Sequence, residues 1–336
     1  MVSSKDVAKG AGVSQPTVSR VLNKPDSVKP ETREKVLRTM QTLGYKPNLI
    51  ARSLITNNTK TIALISGPVC NEFFAESIDS IVRKADEYGY KIIVYFDEEE
   101  NLDDILKSVS GFNVDGILMS SITLEESQLE KIKALNTPYM FFARRSKLKS
   151  NSVTLDDKRA SVMLTNHLID LGHEKIAMIT GESDRSTFLE RRQGFDKAIN
   201  AAGVDIPDSY YIKIKDSSRK EVGEAVKKLI QLYEPPTAVL CASDAIAISA
   251  IDVLLSMNLR VPEDISICGF DNVGLSSHRA IQLTSIGYDG GHIGEIAVQH
   301  LIKQMNRKER ALEDQDYKIL SPKLFIRKTT KEINSY

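Results

Sequence analysis

The chain is poor in the residues that staple small folds or hold metals. It has three cysteines in 336 residues, Cys70, Cys241 and Cys268, far apart and odd in number. No CxxC pair occurs, so a disulfide framework and a cysteine zinc site are disfavoured and a reducing compartment is expected. The histidines offer no metal-binding spacing: His167 and His173 lie six apart, His292 and His300 eight apart. The motifs GxSxG, HExxH, GxGxxG and GxxxxGK are missing, which leaves no positive sign of an enzyme, and neither a metal nor a cofactor is expected. No apolar run approaches the ~18 residues of a membrane span. The opening Met-Val-Ser-Ser-Lys lacks the apolar core of a secretory signal, so the expectation is a cytoplasmic protein with no membrane partner.

Net charge is missing too, with 45 Lys/Arg against 45 Asp/Glu. Its distribution is uneven. Residues 1–60 carry 11 Lys/Arg against four acids, a net +7, and the remainder carries 34 against 41, a net −7. A basic head on an acidic body points to a polyanionic partner at one end. The length suggests two or three compact units, and the 41% apolar share is ordinary for a soluble globular protein.

What is present falls into two patterns. The first 45 residues read as three short helices. Ser4 is the expected cap of a helix over 5–11, with Val7, Ala8 and Ala11 on one face. Gly12 and Val13 make a tight turn. Ser14 caps a second helix over 15–22, in which Pro16 occupies the first turn, where a missing N–H costs nothing, and Val18, Val21 and Leu22 face inward. A third helix opens at Pro30, with Val36, Leu37, Met40 and Leu43 as its apolar face, and Gly44 ends it. Residues 47–56 could form a further short helix, followed by a polar linker.

From residue 61 short β-branched runs alternate with helical stretches. The runs are TIALIS (61–66), KIIVYF (91–96), GILMSS (116–121), PYMFFA (138–143), KIAMITG (175–181), AVLCAS (238–243) and ISICGF (265–270). Between them lie amphipathic segments such as 75–88, with Ile78, Ile81, Val82 and Ala85 on one face. The alternation implies an α/β body of doubly wound parallel sheets, and its length favours two lobes over one sheet. Ligands in such folds sit at the carboxyl ends of strands.

Two short helices around a glycine turn are the parts of a helix-turn-helix, whose second helix enters the major groove. The exposed groups on that helix are Gln15, Thr17, Ser19 and Arg20, and Gln and Arg can grip base edges bidentately. Ser14 and the free N–H groups beside it suit a phosphate. A small three-helix bundle with a solvated polar face is the plainer alternative.

The stretch KDVAKGAGVSQPTVSRVLN, followed by ETREKVLRTMQTLGYKPNLIARSL, resembles the head and hinge of the lactose-repressor (LacI/GalR) family. LGHEKIAMITG (171–181), RRQGFDKAINAAGV (191–204), PPTAVLCASDAIAISAIDVLLSMNLRVPEDISICGFDN (235–272) and LTSIGYD (283–289) are similar to the family's effector domain. The resemblance covers nearly the whole chain. It implies a helix-turn-helix head (1–46), a hinge helix and linker (47–60), and an effector domain (61–330) of type I periplasmic-binding-protein fold. Its lobes would be about 61–158 plus 289–318 and about 159–288 plus 319–330. The function it implies is an operator-binding transcriptional regulator, expected to repress and to act as a homodimer on a pseudo-palindromic site.

The resemblance also implies roles for single residues. Gln15, Pro16 and Arg20 fall on base-reading positions, with Asn23 beside them in the DNA-binding set. Pro16 departs from a polar reader and can offer only apolar contact. Lys29 stands where the family usually has a capping serine. Asn48, Ala51, Arg52 and Leu54 fall on the hinge helix, Leu54 as the minor-groove wedge, a device known in DNA-bending proteins. In the body, Asn71-Glu72-Phe73-Phe74 stands where the family usually reads Asn-Pro-Phe-Phe, and Phe73 and Phe74 would wall the effector cleft. Arg191 and Asp271 match positions that bind effector polar groups, unless they form only a structural ion pair. Asp156, Ser243, Asp244 and Tyr288 are further effector-binding candidates, although Asp244 could instead cap a helix. A sugar or sugar phosphate is the favoured effector, with a nucleoside or purine behind it. The alternatives are a solute-binding protein of the same body fold and a regulator controlled by a phosphoprotein corepressor. The latter branch favours an arginine where this chain has Gln299.

Overall fold

The computed structural model describes residues 2–46, 58–96, 102–120, 126–144, 151–181, 186–306 and 316–333. The hinge positions Asn48, Ala51, Arg52 and Leu54 lie outside them. The chain divides into two compact units, Met1–Thr59 and Lys60–Tyr336.

The head comprises α1 (Ser4–Ala11), α2 (Gln15–Asn23) and α3 (Pro30–Thr42), with a short 3-10 turn at Pro25–Ser27. The cap of α1 is Ser3, one residue before the expected Ser4. Ser3 and Asp6 form a capping box in which Asp6 N donates to Ser3 Oγ at 3.3 Å and Ser3 N donates to Asp6 Oδ2 at 2.9 Å. Ser3 wins because its extended backbone leaves its hydroxyl pointing at the unsatisfied N–H groups of the first turn. Gly12 takes the left-handed conformation at φ 62°, and its N–H reaches the carbonyls of Ala8 and Lys9. That turn sends the chain into α2 at an angle. The core under the three helices is Val7, Ala8, Ala11, Val18, Val21, Val36 and Met40. Leu37 and Leu43, expected on the same face, are 45% and 38% exposed, because the short α1 and α2 cover only one stripe of α3.

In the body, strands and helices alternate: β1 (Thr61–Ser66), α4 (Glu72–Glu87), β2 (Lys91–Phe96), α5 (Leu102–Phe112), β3 (Gly116–Met119), α6 (Glu126–Ala134), β4 (Tyr139–Phe142) and β5 (Ser152–Leu155). Then follow α7 (Asp157–Asp170), β6 (Ile176–Thr180), α8 (Ser186–Ala202), β7 (Tyr211–Lys213), α9 (Arg219–Ile230), β8 (Ala238–Cys241), α10 (Asp244–Ser256), β9 (Ser266–Phe270) and β10 (Thr284–Gly287). The chain ends with α11 (Ile293–Asn306), β11 (Tyr317–Leu320) and β12 (Lys323–Phe325). Two six-stranded sheets result, in the orders β11-β5-β4-β3-β1-β2 and β12-β10-β9-β8-β6-β7. All pairings are parallel except β12 against β10.

The burial pattern explains the apolar runs. On β1, Ile62 and Leu64 pack into one core and Ala63 and Ile65 into another, all of them fully buried. Alternate residues point to opposite faces of a strand, so helices must cover both. Val82 of α4 departs from its expected face and is 43% exposed. The chain crosses between the lobes after β5, after β10 and after β11, so the lobes are joined by adjacent strand ends. Helices α7 and α8 approach very closely: a Cβ on Gly194 would lie 2.3 Å from the Lys158 carbonyl oxygen. Only glycine permits that contact, and it sets the start of α7 beside Arg191.

Candidate functional site

In the head, α2 presents a polar face. Ser14 is its N-cap and accepts from Thr17 N at 3.3 Å, and the two hydroxyls lie 2.8 Å apart. Gln15, Pro16, Ser19 and Arg20 are exposed, and Thr17 and Asn23 are half-buried. Gln15 Nε2 donates to Ser4 Oγ at 2.9 Å, tying α2 to α1, and Asn23 Nδ2 donates to Ser19 Oγ at 3.3 Å. The Asn23 side-chain carbonyl is buried with no partner. Arg20 stands on the solvent side of the helix that packs through Val18 and Val21. A forked cation and an amide are thus both exposed on α2.

In the body, a cavity of about 130 Å³ opens between the lobes, at the carboxyl ends of the strands. From the first lobe it is lined by Asn71, Phe73 and Phe74, where the chain turns from β1 into α4. Asn71 caps α4, accepting from Phe73 N at 3.1 Å, which fixes the two rings at the mouth of the helix. The rings pack edge to face, 5.4 Å between centroids.

From the second lobe the wall is built around Arg191, which is only 5% exposed. Its Nε donates to Asp157 Oδ1 at 2.7 Å, its Nη1 to the Ala242 carbonyl at 2.6 Å, and its Nη2 to Asp271 Oδ1 at 3.0 Å. The Phe270 ring lies 4.5 Å beneath the guanidinium. Burial pushes the Asp157 carboxyl up to about 6, with Arg191 pulling it back. Burial alone would lower Arg191, but the two carboxylates outweigh it and hold the guanidinium above its usual range. Asp271 sits in a turn with φ 100°, followed by Asn272 at φ 50°. Such backbone persists only where its surroundings fix it. Here Asp271 N donates to the Ile286 carbonyl at 2.8 Å, and Arg327 Nη2 donates to Asn272 Oδ1 at 2.6 Å.

The lobes are tied across the cavity. Thr187 Oγ1 donates to the Ala143 carbonyl at 2.9 Å. On α4, Glu76 Oε1 accepts from Gly274 N at 2.7 Å and Glu72 Oε1 from Leu275 N at 3.1 Å. Burial and the neighbouring Glu76 both raise the Glu72 carboxyl.

Of the expected effector residues, Phe73, Phe74, Arg191, Ser243, Asp271 and Tyr288 line this cavity. Two others do not, and both are corrections. Asp156 caps α7, accepting from Arg159 N at 3.0 Å, and it is Asp157, about 100° further round the helix, that faces Arg191. Asp244 is fully buried behind the wall. It accepts from Val273 N at 3.1 Å and contacts the hydroxyls of Ser276 at 2.6 Å and Ser285 at 2.7 Å, bracing the loop after Asp271. Burial, then the nearby Asp271, pushes its carboxyl up to about 8. Asp157, Thr187 and Phe188 line the cavity without having been singled out. The doublet Asp156-Asp157 at a strand end carried a signal for the first, since one acid can cap while the other points inward. Among the described residues, no cluster of His, Cys, Asp or Glu could hold a metal, and no helix is long and apolar enough to cross a membrane.

Two family models match the chain, bacterial regulatory proteins of the lacI family over residues 4–48 and a periplasmic binding protein-like domain over 165–330. The repressor PurR of Photobacterium profundum is 34% identical, across 99% of this chain and 100% of that protein. Catabolite control protein A of Priestia megaterium is 36% identical, across 91% and 93%. A lac repressor dimer bound to operator and the anti-inducer ONPF is similar with a TM-score of 0.86 at 26% identity, covering 98% of this chain and 99% of that one. A cellobiose complex of the transcriptional regulator CelR gives 0.72 at 25%, covering 98% and 100%. A basic helix-turn-helix head and a two-lobed cleft in one chain, at these identities over nearly its full length, leave one conclusion: the chain belongs to the lacI family of bacterial regulatory proteins.

Proposed function

We propose that the chain is a transcriptional repressor which binds a two-fold symmetric operator as a homodimer and releases or tightens on it when a small neutral sugar fills the interlobe cleft. The family membership supports the DNA-binding regulator, and the lac repressor dimer on its operator supports the assembly. Helix α2 would lie in the major groove with Gln15 and Arg20 on base edges, and Asn48, Ala51, Arg52 and Leu54 would meet the minor groove. The protein would act in the cytoplasm and carry out no catalysis.

The Asp157–Arg191–Asp271 group carries the effector reading. Each carboxylate gives Oδ1 to Arg191, and both line the cavity. A ligand approaching them meets acceptors held rigidly by a shared cation, which favours hydroxyl donors. The cavity wall holds Arg144, Arg191 and Lys215 against Asp157, Asp216 and Asp271, so its formal charges cancel. That balance favours a neutral sugar over a sugar phosphate. A thermal-shift series with glucose, cellobiose, glucose 6-phosphate and guanine tests it. A ligand at 100 times its Kd should stabilise the native state by about 2.7 kcal/mol. Stabilisation by the phosphate or the base alone would contradict the sugar reading.

A further inference from the structure

The two lobes are built to one plan, and the plan places an aromatic ring twice. In each sheet the order runs second strand, first, third, fourth, fifth, so β1 and β6 are counterparts, as are β2 and β7 and the strands that follow. Each first strand ends on a glycine, Gly67 after β1 and Gly181 after β6. Seven residues beyond each glycine stands a phenylalanine, Phe74 and Phe188, and each is the third residue of the helix that follows. A Cβ on Gly67 would come within 2.3 Å of the Phe74 ring, and a Cβ on Gly181 within 2.3 Å of the Phe188 ring. In both lobes the ring therefore lies against bare backbone, and no other residue type at the glycine would leave it there.

Both rings line the same cavity, one from each lobe. Each also starts a helix that is tied to the opposite lobe. Thr187, next to Phe188, donates to the Ala143 carbonyl of the first lobe at 2.9 Å. Glu72, two residues before Phe74, accepts from Leu275 N of the second lobe at 3.1 Å. Both hydrogen bonds are made, and both rings line the cavity, in the one arrangement of the lobes seen.

We propose that Phe188 is a specificity-determining residue of the effector cleft, the second-lobe counterpart of Phe74, and that the two rings grip the apolar C–H faces of a cyclic ligand as the lobes close. The proposal rests on the neutral-sugar reading and sharpens it. Hydroxyl recognition by Asp157 and Asp271 alone would accept an acyclic polyol, whereas two aromatic walls select a ring. Aromatic walls give a large apolar contact at low conformational cost, which is why they discriminate by shape.

The absence of tryptophan from the chain makes the test clean. Wild type, Phe188→Ala, Phe188→Leu and the single-tryptophan variant Phe188→Trp are titrated with glucose, cellobiose and the acyclic polyol sorbitol. Calorimetry gives affinities, and tryptophan emission reports contact at position 188. The sugar that binds the wild type should lose at least tenfold in affinity in Phe188→Ala and less in Phe188→Leu. It should also change Phe188→Trp emission with a saturation midpoint equal to its calorimetric Kd, and sorbitol should bind at least tenfold more weakly than that sugar. Wild-type affinity in Phe188→Ala, or Phe188→Trp emission that ignores a bound sugar, overturns the proposal while leaving the sugar reading intact. If Phe188→Ala does not fold, the emission titration decides alone. If neither sugar binds the wild-type protein, the sugar reading fails and this proposal falls with it.

Discussion

Arg191 Nη2 donates to Asp271 Oδ1 at 3.0 Å, joining a helix of the second lobe to the strained turn that follows β9. The same guanidinium holds Asp157 and the Ala242 carbonyl. One buried cation thus positions two carboxylates of the cleft wall, and its loss differs from the loss of either acid.

Asp271→Ala removes a carboxylate proposed to accept from the ligand but leaves Arg191 two of its partners. Effector affinity should fall at least tenfold, with operator affinity in the absence of effector unchanged. Calorimetry and operator-binding anisotropy on the same preparation check both halves. Effector binding equal to wild type would remove Asp271 from the site.

Arg191→Ala instead strands Asp157 in the interior. Removing one partner of a buried ion pair costs about 3–5 kcal/mol. Asp157, already pushed up to about 6 by burial, rises further without its cation and can escape part of that penalty by taking up a proton. The variant should therefore be further below wild type at pH 8 than at pH 5, as read by thermal unfolding. A destabilisation independent of pH would contradict the pairing.

Asp244 gives a second pH signature. Its folded carboxyl is pushed up to about 8, above the ordinary unfolded value near 3.9. The folded state then holds a proton that the unfolded state has released, so stability falls as pH rises through that interval and levels off above it. Asp244→Asn mimics the protonated acid and should be close to wild type at pH 6. The melting temperature of wild type relative to Asp244→Asn should decline from pH 5 to 8 and then flatten. A constant difference would mean that Asp244 is ionised throughout.

In the head, Arg20→Ala should cost roughly 1–3 kcal/mol of operator affinity and relax preference at one base pair. Binding of the mutant equal to wild type at one fixed salt would remove Arg20 from the reading surface.

The fold was largely legible because parallel strands buried on both faces leave continuous apolar runs. TIALIS and KIIVYF match β1 and β2 end for end. The unseen strands lack that mark. Ser152–Leu155 reads SVTL, Tyr211–Lys213 YIK, Thr284–Gly287 TSIG, Tyr317–Leu320 YKIL and Lys323–Phe325 KLF, too short and mixed to show a period. Within the site, resemblance to a family led to Arg191, Asp271 and the Phe73-Phe74 pair, which the fold brings to one cavity. It misplaced Asp156 and Asp244 because an acid at a helix start can serve the cap, the core or the cleft, and one helical step decides which. Asp157 was missed for the same reason. Phe188, which lines the cavity, was missed because its match to Phe74 shows only when the two lobes are compared.

The central proposal is that one chain couples a cleft ligand to operator binding. The direct measurement selects an operator from random duplexes with the full-length protein, then titrates it by anisotropy with and without the sugar found in the thermal-shift series. The selected site should be two-fold symmetric. Operator affinity should shift by about 5–150-fold with effector, matched by an equal shift in effector affinity when operator is bound. Operator affinity unmoved by saturating effector would contradict it.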